Sequence, residues 1–591
     1  MALVDPHSYC DDSQPKVEKV QLELYFDFEA KILRGLAELH WTGPSQALLD
    51  LDTKGLDILS VSDAEGNPLK FQNDVFSEIK GHRLRIHAKG ESVRIKYETS
   101  PDAIALQWLD AAQTTGKKAA YVFTQCQPIH ARSIFPCQDT PRNRISYQVS
   151  LNIPDELSGV MAAKKCERKI KDNRAIETYE MALPIPTYLF AFAVGNIGHR
   201  DIGPRSRVYG EPEVLDAAAY EFTEVESMIT TAESLFGPYD WERFDLLVMP
   251  SSFPYGGMEN PKLTFLTPTV IAGDRSLVNI LAHELAHSWT GNLVTNATMN
   301  DFWLNEGFTT YAERRILEKL EGLETAKLHI AVGRQGLQAD LNRFGADSQF
   351  SRLKNNLENI DPDEVFSRVP YEKGFLFVRR LEEVLGRDRL DIFLKNYMRE
   401  FRFQSITTEE FVEFLRMHHP SIIDVIDLSD WIYGVNLPKD SPQADSKRIL
   451  ELVAIANQFI QTDEISEEEV QTWSPQEWQI FLSQLSSGAN IEICSSLDQQ
   501  FQLSKTNNLE IRVAFLILAI NKGYEPAFEI TTQLLSSLGR MKYLRPLYSA
   551  LSKHSEKTLQ LAIETFEKAK ASYHPVALSL VQSIIAQENN E

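Results

Sequence analysis

The chain has 591 residues, of which 43% are hydrophobic and 24% charged, and its formal net charge at pH 7 is −23. These proportions are typical of a folded globular protein, and the length predicts about three domains, since one domain usually holds ~100–200 residues. The acidic balance disfavours nucleic acid and anionic membranes as partners. The longest apolar run, Val513–Ile520, is far shorter than the roughly 20 residues that span a bilayer, so we expect no transmembrane segment.

The amino terminus and the cysteines indicate a cytoplasmic protein. Residues 1–10 contain neither the basic segment nor the apolar stretch of a secretory signal. The 5 cysteines are scattered along the chain and odd in number, which argues against a disulfide framework and fits a reducing compartment. We therefore expect a cytoplasmic protein, and we expect it to be a monomer.

Hydrophobic residues recur at every second position in the first third of the chain. This alternation is clearest from Val20 to Phe28, from Leu84 to Ala88 and from Ile145 to Ile153. A period of two predicts half-buried strands, which we expect to be antiparallel. The sequence therefore predicts a β-sheet domain over residues 1–197.

The pattern changes to helical spacing at about residue 214, interrupted by a short apolar strand at Phe244–Met249. A mixed helical and strand domain is therefore expected over residues 198–437. The polar, proline-containing segment 438–446 is typical of a linker. Beyond it, residues such as Ile449, Leu452 and Ala456 recur at helical spacing and predict an all-helical domain over residues 447–591. The predicted fold class is multidomain α+β.

A metal-binding pattern stands in the middle domain, at His283-Glu284-Leu285-Ala286-His287. It lies in a helical segment that Ser276 could cap and Gly291 could terminate. Residues four apart lie on one face of a helix, so both imidazoles can reach one ion while Glu284 points into the same cleft. The motif alone also fits two ordinary surface histidines.

Glu306 strengthens the interpretation because it follows His287 after eighteen residues, near the start of the next predicted helix. Two imidazole nitrogens and one carboxylate oxygen would hold Zn²⁺ and leave the fourth position open, as in catalytic zinc sites. We therefore predict one zinc ion per chain. Glu313, two turns further along, would orient a ligand histidine or would be an ordinary solvated glutamate.

Several blocks of sequence together resemble the gluzincin zinc aminopeptidases, and among them the leukotriene A4 hydrolase group. The resemblance runs from about residue 121 to 575. It implies a β-rich N-terminal domain, a thermolysin-like catalytic domain, a C-terminal helical coil and short peptides as substrates. The blocks that carry it are Gln125-Cys-Gln127, Pro136–Pro141, Pro254-Tyr-Gly-Gly-Met-Glu-Asn260, His283–Asn292, Trp303–Phe308, Val369-Pro-Tyr-Glu-Lys-Gly374 and Gly539-Arg-Met-Lys542.

The resemblance implies that Glu259 binds the free α-amine of the substrate. A carboxylate at a fixed distance from the metal admits only peptides whose ammonium lies one residue from the scissile bond. Gln125 and Gln127 would lie near the same amine, with buried structural amides as the alternative. The motif around Glu259 also contributes Gly256, Gly257 and Met258, whose glycines would let the backbone pass close to substrate.

The same resemblance assigns the remaining roles. Glu284 would be the general base, and the hydroxyl of Tyr371 would stabilise the tetrahedral oxyanion. Arg540 and Lys542 would receive the terminal carboxylate and so select di- to tetrapeptides by length. Asp363, in the wall of the substrate cleft, motivates the hypothesis of a preference for arginine at the first position.

Three other functions remain open at this point. A thermolysin-like endopeptidase would share the zinc ligands but would need no amine-binding Glu259. A peptide-binding module with an inactive metal site would have no need for Glu284, Glu306 and Tyr371 together. A lipid epoxide hydrolase is the third alternative, but this chain has Phe366 where mammalian members of the group have a tyrosine. We therefore expect peptide hydrolysis to dominate and epoxide hydrolysis to be weak or absent.

Overall fold

The computed structural model describes residues 4–43, 46–345 and 347–589. Three large hydrophobic cores lie within these ranges, one in an N-terminal β region, one in a central mixed region and one in a C-terminal helical region. The predicted multidomain α+β fold, with a β-rich N-terminal domain, a central mixed domain and a helical C-terminal domain, is confirmed.

The N-terminal region is built from strands whose alternating residues enter its core. In β1, for example, Val20, Leu22, Leu24 and Phe26 are all buried. The strands are β1 (Val17–Asp27), β2 (Ile32–Trp41), β3 (Gln46–Thr53), β4 (Leu56–Ser62), β5 (Phe71–Ser77), β6 (Gly81–Lys89), β7 (Ser92–Thr99), β8 (Leu106–Leu109), β9 (Tyr121–Thr124), β10 (Arg144–Pro154), β11 (Ser158–Met161), β12 (Lys164–Lys171), β13 (Arg174–Pro186) and β14 (Phe192–Gly195).

These strands form a seven-stranded sheet in the order β12-β13-β10-β1-β2-β7-β4, a four-stranded sheet β11-β14-β9-β8 and a three-stranded sheet β3-β6-β5. The expectation that all of them pair antiparallel is wrong at one place, because β1 and β10 run parallel, with Leu22 opposite Val149. The alternation of hydrophobic residues shows which face of a strand is buried, but it does not show whether the neighbouring strand runs parallel or antiparallel. The chain between these two strands is long enough for the crossover that parallel pairing requires.

The central region combines a five-stranded sheet, in the order β15-β16-β17-β19-β18, with a parallel pair β20-β21 and a set of helices. Its strands are β15 (Gly198–Asp201), β16 (Arg207–Gly210), β17 (Asp245–Val248), β18 (Gly257–Met258), β19 (Leu263–Leu266), β20 (Val294–Asn296) and β21 (Gln404–Ile406). Its helices are α1 (Leu215–Glu221), α2 (Val225–Phe236), α3 (Asn279–Ala286), α4 (Trp303–Glu321), α5 (Leu323–Phe344), α6 (Gly374–Leu385), α7 (Arg387–Glu400), α8 (Thr408–His418) and α9 (Leu428–Tyr433).

The C-terminal region is helical throughout the part that the structure describes, beginning at Lys447 after a capping Ser446. Its most apolar helix, α14, is largely buried at the centre of the region. The helices are α10 (Lys447–Thr462), α11 (Glu467–Val470), α12 (Pro475–Leu485), α13 (Ile491–Phe501), α14 (Leu509–Asn521), α15 (Pro526–Leu535), α16 (Met541–His554), α17 (Glu556–Ala569) and α18 (Pro575–Asn589). Across the described residues, the helices are all too short or too polar to cross a membrane.

Backbone hydrogen bonds join the C-terminal region to the catalytic region beside the site. The amide of Gly539 donates to the carbonyl of Ser251 at 2.8 Å, and the amide of Met541 donates to that of Pro254, also at 2.8 Å. A Cβ at Gly539 would stand 2.5 Å from the carbonyl oxygen of Ser252, so only glycine fits this junction. The loop before α16 is thereby fixed next to the segment that leads into β18.

Candidate active site

Helix α3 presents the first part of the metal-binding pattern. It contains His283 and Glu284, and His287 is the residue at its end. The prediction that Ser276 caps this helix is wrong: α3 begins at Asn279, and the Ser276 hydroxyl accepts a hydrogen bond from Asn508 at 2.9 Å instead. Gly291 lies in the turn beyond the helix end, with a φ of +130° that favours glycine.

Helix α4 brings Glu306 to the two histidines. The Nε2 atoms of His283 and His287 are 3.2 Å apart, and they lie 3.4 and 3.5 Å from Oε2 of Glu306. Ligands at the usual zinc distance in a tetrahedral site lie about 3.3 Å from one another. The three atoms therefore fit three corners of a zinc tetrahedron, and Oε2 of Glu306 is buried without a hydrogen-bond partner among the described residues, as a metal ligand would be.

Hydrogen bonds at the far side of each imidazole determine which nitrogen faces this centre. Nδ1 of His283 donates to the carboxylate of Glu313 at 3.0 Å, and Nδ1 of His287 donates to the carbonyl of Thr290 at 3.1 Å. Because neither partner can donate, both Nδ1 atoms carry the proton and both Nε2 lone pairs are free for a metal. Of the two interpretations of Glu313, the structure supports the orienting contact, since this residue is buried.

Glu284 packs against the backbone at the start of β18. A Cβ at Gly257 would stand 2.4 Å from the Glu284 carboxyl carbon, so the glycine leaves the space that this carboxyl occupies. Burial, partly offset by His283 and reinforced by Glu306, raises the pKa of Glu284 to about 8. The carboxyl is therefore close in proton affinity to the groups with which a general base exchanges protons near neutral pH.

Glu259 is a buried acid that accepts a hydrogen bond from an amide but has no ion-pair partner among the described residues. Its side chain is 4% exposed, it forms no ion pair within the described ranges, and Nε2 of Gln127 lies 3.3 Å from its Oε1. Burial, with the carboxylates of Glu306 and Glu284 nearby, raises its pKa well above the ordinary value. A cation placed beside it would relieve this cost. Gln125 also lies here, with its amide 3.3 Å from the Met258 sulfur.

Tyr371 approaches the metal ligands from a π-helical turn, Val369–Lys373, which leads directly into α6. Burial and the carboxylate of Glu306 raise its pKa well above 10.0, so the phenol keeps its proton and acts as a donor. The π-helical turn can approach α4 closely because two glycines meet there. A Cβ at Gly374 would stand 2.6 Å from the Cα of Gly307 on α4. The adjoining Glu372 is held by the guanidinium of Arg314 at 2.7 Å.

Arg540 reaches the same cleft from the C-terminal region. The position of a Cβ on Gly256 lies 2.7 Å from its Nη2, while its Nη1 donates to Thr269 at 3.0 Å and to Tyr543 at 2.9 Å. Lys542 is half-exposed and forms an ion pair with Glu510 at 2.6 Å. The predicted basic pair is therefore present beside the cleft, and Arg540 lies nearer to the site than Lys542.

An apolar cavity of about 50 Å³ adjoins the site. Asp363 and Phe366 both line it, as expected, together with Tyr255 and the Gln127 segment. The Phe366 ring lies 5.9 Å from that of Tyr255 and 6.1 Å from that of Tyr371. Asp363 accepts a hydrogen bond from Nε2 of the buried His130 at 2.8 Å, so one of its oxygens is already engaged.

All the residues that the sequence singled out lie around this one cleft or at its edge. Two neighbours were not predicted: His130, the partner of Asp363, and Glu510, the partner of Lys542. His130 stands three residues after Gln127, just beyond the block Gln125–Gln127, so its nearness to that block was the one signal for it. Glu510 lies in the first turn of α14, where acidic residues are common, and nothing in the sequence relates it to Lys542.

The fold and the His-His-Glu centre define a zinc metallopeptidase. The Peptidase M1 N-terminal domain matches residues 14–189, the Peptidase family M1 domain matches residues 220–431, and the Leukotriene A4 hydrolase, C-terminal domain matches residues 473–585. The chain belongs to peptidase family M1, in the branch that carries the leukotriene A4 hydrolase C-terminal domain, and it is a zinc-dependent aminopeptidase.

Similar proteins match over nearly the whole chain. Leukotriene A-4 hydrolase of Xenopus laevis is 38% identical, covering 98% of this chain and 98% of its own length. Leucine aminopeptidase 2 of Ajellomyces capsulatus is 38% identical over 90% of this chain and 88% of its own length. A solved structure of yeast leukotriene A4 hydrolase in complex with bestatin superposes with a TM-score of 0.92 and 32% identity, covering 99% of this chain and 97% of the other.

Proposed function

We propose that this aminopeptidase removes the first residue from di- to tetrapeptides, with one zinc ion held by His283, His287 and Glu306. One observation carries the proposal: Glu259 is a buried carboxylate that forms no ion pair among the described residues, and it lies near the acids of the metal centre. A substrate ammonium would complete a charge-assisted hydrogen bond there. The scissile bond of the first residue would then lie over the His-His-Glu centre.

Zinc bound at this centre would polarise the scissile carbonyl and activate water. Glu284 would take a proton from the attacking water as the new carbon–oxygen bond forms. It would then deliver that proton to the departing amine as the carbon–nitrogen bond breaks. Tyr371 would donate its O–H to the developing oxyanion without losing its own proton, because its pKa is raised.

The limit on peptide length is assigned to the cationic end of the cleft. Arg540 is buried and lies against Gly256. When the first residue of a short peptide is bound at Glu259, the rest of the peptide would extend toward Arg540. A terminal carboxylate would pair with Arg540, and Lys542 would add charge from the rim. Peptides longer than about four residues would place that carboxylate beyond reach.

The preference at the first position has two candidates. Asp363 lines the cavity and would attract an arginine side chain, as the sequence suggests. The apolar lining, which includes Tyr255 and Phe366, favours leucine instead, and two of the similar fungal proteins are named leucine aminopeptidase 2. We retain arginine as the proposal because Asp363 is the one acid that lines this cavity among the described residues.

Hydrolysis of a lipid epoxide is the second candidate function, and the apolar cavity is the observation that favours it. Phe366 offers no hydroxyl to a conjugated chain, so we propose that this activity is weak or absent.

The protein is further proposed to work as a cytoplasmic monomer without nucleic acid. Its net charge of −23 and its free cysteines support this proposal, and light scattering with cell fractionation tests it.

One substrate panel tests the proposal. The purified enzyme is assayed with tripeptides that begin with arginine, leucine or glutamate, and with leukotriene A4, before and after zinc is removed and restored. We expect zinc-dependent release of the first residue, fastest for arginine, and kcat/KM for leukotriene A4 far below that for the best tripeptide. A glutamate-first ranking or comparable kcat/KM for the lipid would overturn the corresponding part of the proposal.

A further inference from the structure

A second group of cations lies beside the cavity, where the Arg343 guanidinium donates a hydrogen bond to the carbonyl of Phe366 at 3.3 Å. It consists of Arg343 on α5, Arg368 before the π-helical turn and Arg545 on α16, and we call it the outer arginine cluster. Burial lowers the pKa of Lys542, and the charge of the Arg368 guanidinium contributes to this shift. On a chain with a net charge of −23, such a concentration of positive charge at a cleft is unexpected.

The outer arginine cluster contains more cations than its neighbouring acid can neutralise. Asp340 accepts hydrogen bonds from the Arg343 side chain at 3.1 Å and from the backbone amide of Arg368 at 2.8 Å. Its distance to the Arg368 guanidinium is 3.8 Å. Asp340 is therefore shared between two arginines and is already engaged by the backbone.

Arg545 has no carboxylate of its own. Within the part of the chain that the structure describes, it makes no hydrogen bond and no ion pair, although it is half-buried. Burial together with the charges of Arg343 and Arg368, opposed by Asp340, lowers its pKa to about 10. Gly336 makes room for the group, since a Cβ there would stand 2.7 Å from Nε of Arg368.

We propose that the outer arginine cluster is a second carboxylate subsite, which favours peptides that carry an acidic group beyond the residues reached by Arg540 and Lys542. Three guanidinium groups and a single shared acid match a planar carboxylate, which can accept two hydrogen bonds from one arginine. The carboxylate is either an acidic side chain or the carboxyl terminus of a longer peptide. This inference rests on the proposed cleavage of peptides from their amino end.

The test compares pairs of pentapeptides that differ only at the fourth or fifth residue. In the first comparison the peptides carry glutamate or glutamine and both have an amidated carboxyl end, so only the side-chain carboxylate differs. In the second comparison the peptides have a free or an amidated carboxyl terminus, so only the terminal carboxylate differs. Arg545→Ala and Arg545→Lys are measured beside Arg416→Ala, which removes an exposed arginine of α8. An alanine amide without a carboxylate reports the basal activity.

In the wild type we expect a kcat/KM ratio of acidic to neutral peptide of about 5, the size expected of a partly exposed charge pair, and a decrease of that ratio with added salt. Arg545→Ala should bring the ratio close to 1, Arg545→Lys should retain part of it, and Arg416→Ala should leave it unchanged. A wild-type ratio of 1 in both arms, or an unchanged ratio in Arg545→Ala, would overturn the subsite. Failure to cleave the pentapeptides while a control tripeptide is cleaved would also overturn the subsite, whereas loss of cleavage of the tripeptide as well would contradict the proposed function.

Discussion

Gly256 and Gly257 are adjacent, yet the missing side chain serves a different group at each position. Gly257 faces the carboxyl of Glu284, whereas Gly256 faces the guanidinium of Arg540. The contact of Gly257 with Glu284 affects the cleavage of every substrate. The contact of Gly256 with Arg540 affects only substrates that have a terminal carboxylate. Single alanine substitutions can therefore separate the two functions.

Gly257→Ala should lower kcat at least tenfold on all substrates, because the new methyl displaces a buried general base. Gly256→Ala should lower kcat/KM for tripeptides by a factor equivalent to ~1.5–3 kcal/mol of transition-state stabilisation, the usual contribution of a charged hydrogen bond, and leave aminoacyl amides nearly unaffected. Arg540→Ala serves as the comparison for Gly256→Ala. Steady-state kinetics on both substrate types check this, and an equal loss on both types in Gly256→Ala would assign Arg540 a purely structural role.

The metal ligands and the base also separate by substitution. Glu306→Ala removes one of three ligands, so the zinc content of the purified protein should decrease sharply. Glu284→Gln keeps the shape of the side chain but cannot accept a proton, so zinc should remain while turnover is abolished. Metal analysis and a fluorogenic assay measure the two effects, and near wild-type rates in Glu284→Gln would show that the general base has been assigned wrongly.

At the scale of elements, the crossing of α4 with the start of α6 determines where Tyr371 lies relative to Glu306. Gly307 and Gly374 make this crossing through their backbones, and neither side has a flexible atom that could move away. The sequence shows both glycines inside recognised blocks, but the need for each depends on a residue far away in the chain. Their contact was therefore not predictable from either block alone.

Gly374→Ala should destabilise the fold by about 1–3 kcal/mol, the usual cost of overpacking, and should decrease turnover by displacing Tyr371. Gly488→Ala is the matched control, because its new methyl would meet only the flexible end of Ile460. Chemical unfolding and kcat are measured for both variants. If Gly374→Ala kept wild-type turnover, the close crossing would not be what positions Tyr371.

Lys373 gives a pH-dependent test of the same element. Its ammonium is buried and donates to the carbonyls of Ser351 at 2.9 Å and Gly434 at 2.8 Å. Burial, opposed by Asp430, lowers its pKa to about 7. Between this value and the higher pKa of the unfolded chain, the unfolded state binds more protons, so this group makes stability rise with pH.

Lys373→Met should therefore reduce the slope of unfolding free energy against pH between about pH 7 and 10. Urea unfolding at several pH values measures the slope in the wild type and in the variant. Lys505→Met, which removes an exposed lysine, should leave the slope almost unchanged. A steeper slope in Lys373→Met than in the wild type would contradict the direction of the shift.

At the scale of the whole molecule, the active site depends on all three regions. Gln127 comes from the N-terminal region, the metal centre from the catalytic region and Arg540 from the C-terminal region. The boundaries at residues 197, 437 and 446 remain a proposal, which limited proteolysis followed by mass spectrometry would test. Cleavage within residues 438–446 is the expected first event.

Alternation, helical period and the spacing of metal ligands are local properties, so they predicted the three regions and the metal centre. The other cleft residues were assigned by the resemblance to the zinc aminopeptidases. The sequence could not predict the parallel pairing of β1 with β10, which depends on how distant strands meet. The same limit applies to Ser276, whose local pattern favours a cap but whose hydroxyl is engaged by Asn508 from the C-terminal region. The pairing of β1 with β10 and the contact of Ser276 with Asn508 each join distant segments, so neither can be predicted from the sequence of one segment alone.

The requirement for a free amino terminus tests the central role of Glu259 most directly. A tripeptide and its N-acetylated form are compared at equal concentration, with the wild type and with Glu259→Gln. We predict that acetylation lowers kcat/KM by at least about 100-fold in the wild type, since it removes the cation that the buried carboxylate needs, and much less in Glu259→Gln. Equal cleavage of the free and acetylated peptides by the wild type would contradict the account.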